Sequence, residues 1–443
     1  MDRHSSASSP KICRDLRQRL AAASDDTTVP VIVRYHPGAV PKLPKGPDFR
    51  LKRSFSVVPA LAARVPAGKM DTLVEDEAVE RVWLDFRVQA LLDRNAAIAG
   101  ATVAWEAGLT GAGVKIAIVD TGIDPDHPDF GDRIIAAARY TNGDDGSRLR
   151  SRRRRLALST TDGNGHGTHV AGIAAGDGTA SKGLYRGVAP EASLLVAKVL
   201  TDDGGGDASD VIAGLEWALE NGAQVACLSL GGSQAGDGTD ALSVTCDELA
   251  EQGLVICVAA GNAGPRSYTV GPPGCAREVI TVGAADTTHA DQGAITVATF
   301  SSRGPTTDKR VKPDLLFPGV AIAACRAAAG DMGDPVSDFP EHYVRASGSS
   351  MAAPFAAGAA ALILQAHPEA TPRQVREMLC AAAGDLGEDA NAQGSGLANI
   401  ARALEVVPSD DVLEPPPVPE RSGCLLAGLP ALAALLPPVR RRG

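Results

Sequence analysis

Three short segments contain the residue types that serine-based acyl transfer requires. Asp120 ends an apolar run in IAIVDTGID. Two histidines, His166 and His169, lie in GHGTHVAG, and a pair of serines, Ser349 and Ser350, lies in GSSMAAP. Acyl transfer needs a hydroxyl, a base that takes its proton, and a carboxylate that holds the base in one tautomer. The chain offers candidates for each group, in glycine-rich contexts that let a backbone approach a substrate closely.

Each segment also has an ordinary structural interpretation. An aspartate after an apolar strand commonly sets a turn, and a histidine at a helix start is commonly structural. Gly-Ser-Ser before an apolar run is a common helix N-cap. The residues alone do not choose between Ser349 and Ser350 as a nucleophile. The catalytic hypothesis therefore depends on all three segments occurring in one chain.

Positioning these groups requires an α/β domain, which the pattern between residues 102 and 406 predicts. Short apolar runs such as GVKIAIV, ASLLVAKVL and GLVICVAA alternate with the amphipathic stretches ASDVIAGLEWALENG and ALSVTCDELAEQG. This alternation indicates a mainly parallel central sheet with helices on both faces. Sites in such sheets form beyond the carboxyl ends of strands, where Asp120 lies. A later helix is predicted from Thr371 as cap and Pro372 as first residue.

Four further segments flank this predicted domain. Residues 1–28 are polar, and we expect little order in them. Residues 29–92 combine strand-like runs with a helical stretch and predict a small α+β domain, with one strand bent at Pro59. Residues 93–101 are expected to form a linker. Residues 407–443 contain a Pro-rich linker and an apolar tail that ends in arginines.

Composition and cysteine spacing exclude several function classes. The formal net charge is -10, which disfavours a nucleic-acid binder with its basic face. The Gly-x-Gly of GAGVKIAIV precedes its strand, whereas a dinucleotide-binding loop must follow one. None of the eight cysteines forms a C-x-x-C pair, so a zinc site is not expected. Cys227 and Cys257 are interpreted as small buried apolar residues, and the disulfide state stays open.

The order of the segments and their amino-acid sequences resemble those of the subtilisin-like serine proteases, the subtilases. VDTGID, GHGTHVAG and GSSMAAPFAAG match the family around its aspartate, histidine and serine. AAGNAG at residues 259–264 is similar to the family's oxyanion-hole motif. The resemblance covers residues 95–405. It implies a subtilisin-like fold and a serine endopeptidase that acts on polypeptides, with no nucleic-acid partner.

The resemblance assigns a role to each matched residue. It implies that Asp120 orients the imidazole and that His166 acts first as general base and then as general acid. It implies that Ser350, directly before Met351, is the nucleophile. His169 is implied to be structural.

The same resemblance implies an oxyanion hole and substrate-binding walls. Asn262 would donate its side-chain amide to the oxyanion, with the backbone N–H of Ser350 as the second donor. The implied substrate-binding residues are Ser229, Leu230, Gly231, Gly261 and Gly271. The two last glycines suggest an open, apolar specificity pocket and a preference for a hydrophobic residue before the scissile bond.

The resemblance also implies a zymogen. Residues 29–92 are similar to the family's inhibitory propeptide in length, in position and in the ending VERVWLDFRV, and cleavage is expected within 93–101. A permanent accessory domain is the alternative. The chemistry requires no cofactor. Structural calcium is possible, but the sequence identifies no ligands, and the aspartates of DPDHPDF, Asp124, Asp126 and Asp129, are interpreted as turn residues.

Other features keep two interpretations each. RLRSRRRRL at 148–156 is a solvated loop, or else a processing site or a contact for acidic substrate. The tail resembles a C-terminal surface-sorting signal but contains prolines, and membrane association follows only if it sorts the protein. No N-terminal signal peptide is visible, so a secreted or cell-surface location and a cytoplasmic one both stay open. A catalytically inactive binding module is the alternative to an enzyme, and labelling by a serine-directed phosphonate distinguishes the two.

Overall fold

The computed structural model describes residues 9–405 except 22, 45, 47, 56–57, 86–90, 142–159 and 233. The basic stretch 148–156 and the tail 407–443 therefore lie outside the described residues. The chain divides into two compact units, Met1–Leu91 and Leu92–Gly443.

The N-terminal unit is built on an antiparallel sheet with helices packed on one face. The sheet order is β2-β3-β1-β4. Buried and half-exposed residues alternate along β1, as expected for a sheet covered on one side. The described elements are α1 (Arg14–Ala21), β1 (Thr28–Tyr35), β2 (Arg50–Ser54), β3 (Ala60–Pro66), α2 (Met70–Val74) and β4 (Val79–Leu84).

Two details of this unit differ from the sequence-based expectation. The described residues between 9 and 28 belong to the packed unit, because Ile12 and Leu16 are buried in the same apolar cluster as Val31. The single strand bent at Pro59 is two strands, β2 and β3, which pair with each other. The few apolar residues of this segment are therefore enough to hold α1 in the packed unit.

Residues 93–101 also differ from expectation, since most of them are helical. They belong to α3 (Leu91–Ile98) and α4 (Ala101–Glu106). Alanine is the strongest helix former and is small enough to pack closely. Ala99 is fully buried, and the buried Asn95 accepts a hydrogen bond from the Thr287 hydroxyl at 2.7 Å. The segment is thus part of the second unit's packed structure.

The second unit contains a mainly parallel sheet in the order β11-β10-β9-β8-β5-β7-β6, with β12 also pairing with β10. Among the described strands of this sheet, only the β10–β11 pair is antiparallel. The predicted α/β architecture is confirmed. The strands are β5 (Lys115–Asp120), β6 (Ile134–Arg139), β7 (Ser193–Lys198), β8 (Val225–Leu228), β9 (Val255–Ala259), β10 (Ile280–His289), β11 (Ala294–Val297) and β12 (Leu315–Pro318).

Helices cover both faces of the sheet. Those of the described region are α5 (His166–Ala175), α6 (Ala208–Glu220), α7 (Ala241–Glu251), α8 (Ser349–Ala366), α9 (Pro372–Ala381), α10 (Ala390–Gln393) and α11 (Ile400–Ala403). Helices α6 and α7 share a core with Ala117 and Val119 of β5, while α5 packs on α8 and both contact β5. A small antiparallel sheet joins β13 (Ile322–Cys325), β15 (Tyr343–Ala346) and β14 (Asp334–Pro335).

The sequence signals inside these elements behave as expected. Cys227 and Cys257 are fully buried, and all seven cysteines of the described residues are free thiols. Thr371 caps α9 in a reciprocal capping box with Gln374. Helix α8 is long and apolar enough to cross a membrane, but 83% of it is buried inside the unit. It is therefore interpreted as a core helix.

Candidate active site

Asp120 and His166 meet at the carboxyl end of the central strand β5. Asp120 is the last residue of β5 and is fully buried, and His166 is the first residue of α5. The imidazole Nδ1–H donates to Asp120 Oδ1 at 2.7 Å. Gly167 permits this approach, since a Cβ there would collide with the Gly122 carbonyl oxygen. The backbone N–H of Thr121 also donates to Asp120 Oδ1, at 2.7 Å, and helps to fix the carboxylate.

The environment of His166 favours its protonated form. Desolvation works to lower the pKa of His166, but the charge of Asp120 and its hydrogen bond work in the opposite direction. The charge of Asp162 adds to them, and the net effect is a raised pKa for His166. The imidazole is thus a stronger base than an isolated one, as a group that removes a hydroxyl proton should be.

Ser350 lies in the first turn of α8, the helix that packs on α5. Its hydroxyl donates to the Ser229 carbonyl oxygen at 3.2 Å, and the Ser229 hydroxyl donates to the Ser350 carbonyl oxygen at 2.8 Å. Among the described residues, no hydrogen bond joins Ser350 to His166. Catalytic hydrogen bonds are often long or misaligned in free enzymes and tighten when substrate binds.

Asn262 is held in place by the serine that precedes Ser350. Asn262 Oδ1 accepts hydrogen bonds from the backbone N–H and the hydroxyl of Ser349, at 2.8 and 3.0 Å. The Ser349 oxygen in turn accepts from the backbone N–H of Gly261 at 3.0 Å. None of the described residues accepts a hydrogen bond from the amide N–H₂ group of the exposed Asn262, so this group is available to a ligand. From the sequence, Ser349 is a rival nucleophile or part of a helix cap, and nothing in the residue pattern indicates this orienting contact.

Two cavities adjoin these groups and share the wall formed by Ser229 and Leu230. The smaller, about 290 Å³, is bordered by Asn262, Ser350 and both expected pocket glycines, Gly261 and Gly271, as well as Gly231. Its wall also carries the hydroxyl-bearing residues Thr269 and Ser302, so it is less apolar than expected. A Cβ on Gly271 would collide with the Gly232 carbonyl oxygen.

The larger cavity, about 750 Å³, borders His166 and was not anticipated from the sequence. Leu200, Val211, Leu230 and Leu242 supply apolar lining. These residues come from segments far apart along the chain. The cavity is formed by the segments that follow β7 and β8 together with α6 and α7. No local pattern in the sequence could have indicated it.

His169 takes no part in this constellation. It is fully buried, and its Nε2–H lies 3.1 Å from each of two carbonyl oxygens, those of Ile322 and Val344. Desolvation is the main cause that lowers the pKa of His169 to about 4, so the ring is neutral at physiological pH. Its structural interpretation is therefore confirmed.

The acidic residues of DPDHPDF have different roles. Asp124 fixes a turn, because its Oδ1 accepts from the backbone N–H of Asp126. Asp129 is instead a buried acceptor, and its carboxylate takes hydrogen bonds from the Ala180 N–H, the Tyr343 hydroxyl and the Cys325 thiol. Burial is the main cause that raises the pKa of Tyr343 and of Cys325, which keeps both as donors.

Among the described residues, the side-chain ligand atoms of His127, Asp129 and Cys325 lie close enough together to hold a metal ion. Both nitrogens of His127 are already hydrogen-bonded, Nε2 to the His342 carbonyl oxygen and Nδ1 to the backbone N–H of Asp129. The carboxylate of Asp129 is likewise occupied by protein donors. Calcium requires six to eight oxygen ligands, and this donor set does not fit it.

Comparison with known proteins places these features in a family. A family model described as the subtilase family matches residues 111–397. The chain is 39% identical over 374 residues to serine protease AprX from Bacillus subtilis (strain 168), covering 81% of this chain and 81% of that protein. It is 37% identical over 302 residues to subtilisin DY from Bacillus licheniformis, covering 67% of this chain and 93% of that protein. The solved structure of Sphericase matches with a TM-score of 0.55 and 30% identity, over 66% of this chain and 92% of that one.

Proposed function

Since the chain belongs to the subtilase family of serine endopeptidases, we propose that it hydrolyses peptide bonds with a triad of Asp120, His166 and Ser350. The observation that carries this proposal is the 2.7 Å hydrogen bond between His166 Nδ1 and the buried Asp120 carboxylate. That bond leaves Nε2 as the ring nitrogen able to accept a proton. Ser350, in the first turn of α8 and beside the same cavity wall, is the hydroxyl that supplies it.

In the proposed reaction, Ser350 Oγ attacks the carbonyl carbon of the scissile bond while His166 Nε2 takes the hydroxyl proton. The resulting oxyanion receives hydrogen bonds from the Asn262 side-chain amide and the Ser350 backbone N–H. Collapse of the tetrahedral intermediate breaks the C–N bond, and the imidazolium gives its proton to the leaving amine. Water, deprotonated by His166, then attacks the acyl-enzyme by the same route and releases Ser350.

We further propose that substrate binds as an added strand beside Ser229, Leu230 and Gly231, through backbone hydrogen bonds. The residue before the scissile bond would enter the 290 Å³ cavity beside Gly261 and Gly271. Glycine at these two positions adds no side chain to the cavity, which supports a preference for a large hydrophobic side chain. Thr269 and Ser302 on its wall would tolerate a polar tip, as in tyrosine.

We also propose that the N-terminal unit acts as the enzyme's own inhibitor and is removed by autocatalytic cleavage. A protease binds its substrate in an extended form, whereas α3 is helical and Ala99, the residue that follows it, is fully buried. The cut is therefore expected near the start of α3 (Leu91–Ile98). N-terminal sequencing of wild type should give a chain that lacks the first unit, and Ser350→Ala protein should stay full length. A mature N-terminus that still includes residues 29–85 would indicate a permanent accessory domain.

The catalytic proposal is tested with a serine-directed phosphonate. Wild type should lose peptidase activity on reaction, and the label should map to Ser350. Ser349→Ala is the matched control, since it removes the neighbouring hydroxyl and should still be labelled at Ser350. If active, correctly processed protein carries the label elsewhere, the nucleophile assignment is wrong. If such protein neither reacts nor cleaves peptides, the chain is a binding module.

A further inference from the structure

A second buried carboxylate, Asp162, lies beside the proposed triad and has no role in the reaction described above. It is fully buried and stands four residues before His166, in the loop that leads into α5. Burying a charged carboxylate is costly unless donors replace the lost water. The donors that surround Asp162 therefore indicate what the residue holds together.

Five hydrogen bonds converge on this carboxylate, all from uncharged groups. Oδ1 accepts from the Thr121 hydroxyl at 2.8 Å and from the Gly165 N–H at 2.7 Å. Oδ2 accepts from the N–H and the hydroxyl of Thr168 at 2.8 and 2.7 Å. The Asn164 N–H adds a longer contact to Oδ1 at 3.2 Å. Among the described residues, no cation forms an ion pair with Asp162.

These donors belong to the two segments that must be held in register for catalysis. Thr121 directly follows Asp120, and its hydroxyl also accepts from the Gly167 N–H at 2.9 Å. Thr168 lies in the first turn of α5, and its hydroxyl accepts from the Asp124 N–H at 2.9 Å. Asp162 is thus the common acceptor that ties the segment after β5 to the start of α5. The Asp120–His166 bond spans this same junction.

Asp162 also acts on His166 through its charge. Its electrostatic attraction for the protonated ring adds to that of Asp120 and supports the raised pKa of His166. Lys198, at the end of β7, donates to the Thr121 carbonyl and to Asp202. The other titratable groups on the elements packed against α5 are His169 on α5 itself, Lys115 on β5 and Cys325 on β13, and Asp129 before β6 accepts from that cysteine.

We propose that Asp162 is a positioning residue of this protease, which locks the Asp120 segment to the His166 helix and supplies a second fixed negative charge near the imidazole. The inference rests on the proposed base role of His166. Displacement of a catalytic group by about 1 Å can cost on the order of 100-fold in rate. A residue at this junction should therefore affect kcat much more than KM.

The test compares Asp162→Asn with two other variants on a peptide substrate, across the acid side of the pH profile. Asp162→Asn keeps the shape but removes the charge and turns one acceptor into a donor facing Thr168. We expect kcat to fall about 10-fold to 100-fold with little change in KM. We also expect the acid limb of kcat/KM to move to lower pH, because the protonated His166 loses a stabilising charge.

Thr168→Val separates position from charge, since it removes one donor to Asp162 and keeps the carboxylate. It should lower kcat by about 3-fold to 10-fold and leave the acid limb in place. Asp247→Asn is the matched control, because that carboxylate also joins two segments through uncharged backbone donors, the N–H groups of Arg277 and Glu278, but those residues precede the amino end of β10, at the opposite end of the parallel strands. It should change neither kcat nor the acid limb.

Wild-type kcat in Asp162→Asn, or an acid limb that does not move, overturns the proposal. If Asp162→Asn does not fold, Thr168→Val decides, and unchanged kcat in that variant also overturns it. Failure of the proposed function gives a different result, namely a wild-type protein that cleaves no peptide and takes no phosphonate at Ser350.

Discussion

The contact between Asn262 and Ser349 makes the proposed oxyanion hole open to a quantitative test. Asn262→Leu has nearly the same shape but no amide donor. Loss of one oxyanion-hole donor typically lowers kcat by about 100-fold to 1,000-fold. KM should change little, because the donor acts on charge that develops only in the transition state.

Ser349→Ala should act on the same step through the orientation of Asn262. The variant removes the 3.0 Å hydroxyl contact to Asn262 Oδ1 and keeps the 2.8 Å contact from the Ser349 backbone N–H. It also removes the acceptor of the Gly261 N–H, but only the contact to Oδ1 bears directly on the direction of the Asn262 amide. One lost hydrogen bond between uncharged groups costs about 0.5 to 1.5 kcal/mol. If all of that appears in the transition state, kcat falls by about 2-fold to 13-fold.

The two variants together form a double-mutant cycle. Ser349→Ala in the Asn262→Leu background should have almost no further effect on kcat, because the amide that Ser349 orients is already absent. The assay is kcat on a saturating peptide substrate, with active enzyme counted by phosphonate titration so that unfolded protein does not contribute. Additive losses in the double variant would show that Ser349 does not act through Asn262 and would refute this reasoning.

Three further predictions concern pH, buried hydrogen bonding and close packing. Because the pKa of His166 is raised and the ring must be neutral to act as a base, the acid limb of kcat/KM should lie at a higher pH than for an unperturbed imidazole; a limb at lower pH would contradict the Asp120 geometry. Tyr343→Phe deprives the buried Asp129 of one donor and should lower the free energy of unfolding by about 1.5 to 3 kcal/mol in urea titrations, whereas no loss would mean that the carboxylate does not depend on this donor. Gly358→Val should lower the thermal midpoint markedly, because even a Cβ at this position lies 2.5 Å from Val188 Cβ, and a stable variant would show that α8 can shift.

The sequence was most informative where a pattern is repeated over a whole element. The all-buried β8 and β9 were predictable, since parallel strands covered on both faces become continuous apolar runs. Helix α1 was missed because its apolar residues are few among many charged ones. The segment 93–101 was taken for a linker because alanine gives no amphipathic pattern, although it packs well.

The chemistry of the site was only partly predictable for a related reason. The residue types of Asp120, His166 and Ser350 suggested a triad, but their spacing gave no distance between them. The orienting role of Ser349 and the junction at Asp162 depend on backbone donors brought in from other segments. Backbone N–H groups are present at almost every position, so no residue pattern marks the ones that a carboxylate will collect.

The strand order explains how groups so distant along the chain come together. Strands β5, β8 and β9 are neighbours and run parallel, so their carboxyl ends lie side by side at intervals of about 4.8 Å. Asp120 ends the first, Ser229 follows the second, and Asn262 lies three residues beyond the third. The helices that begin at His166 and Ser349 then need only to bring their first turns to this edge. A substitution at this edge should therefore disturb catalysis more than an equal change at the amino ends of the same strands, where Lys115 and Val225 begin β5 and β8.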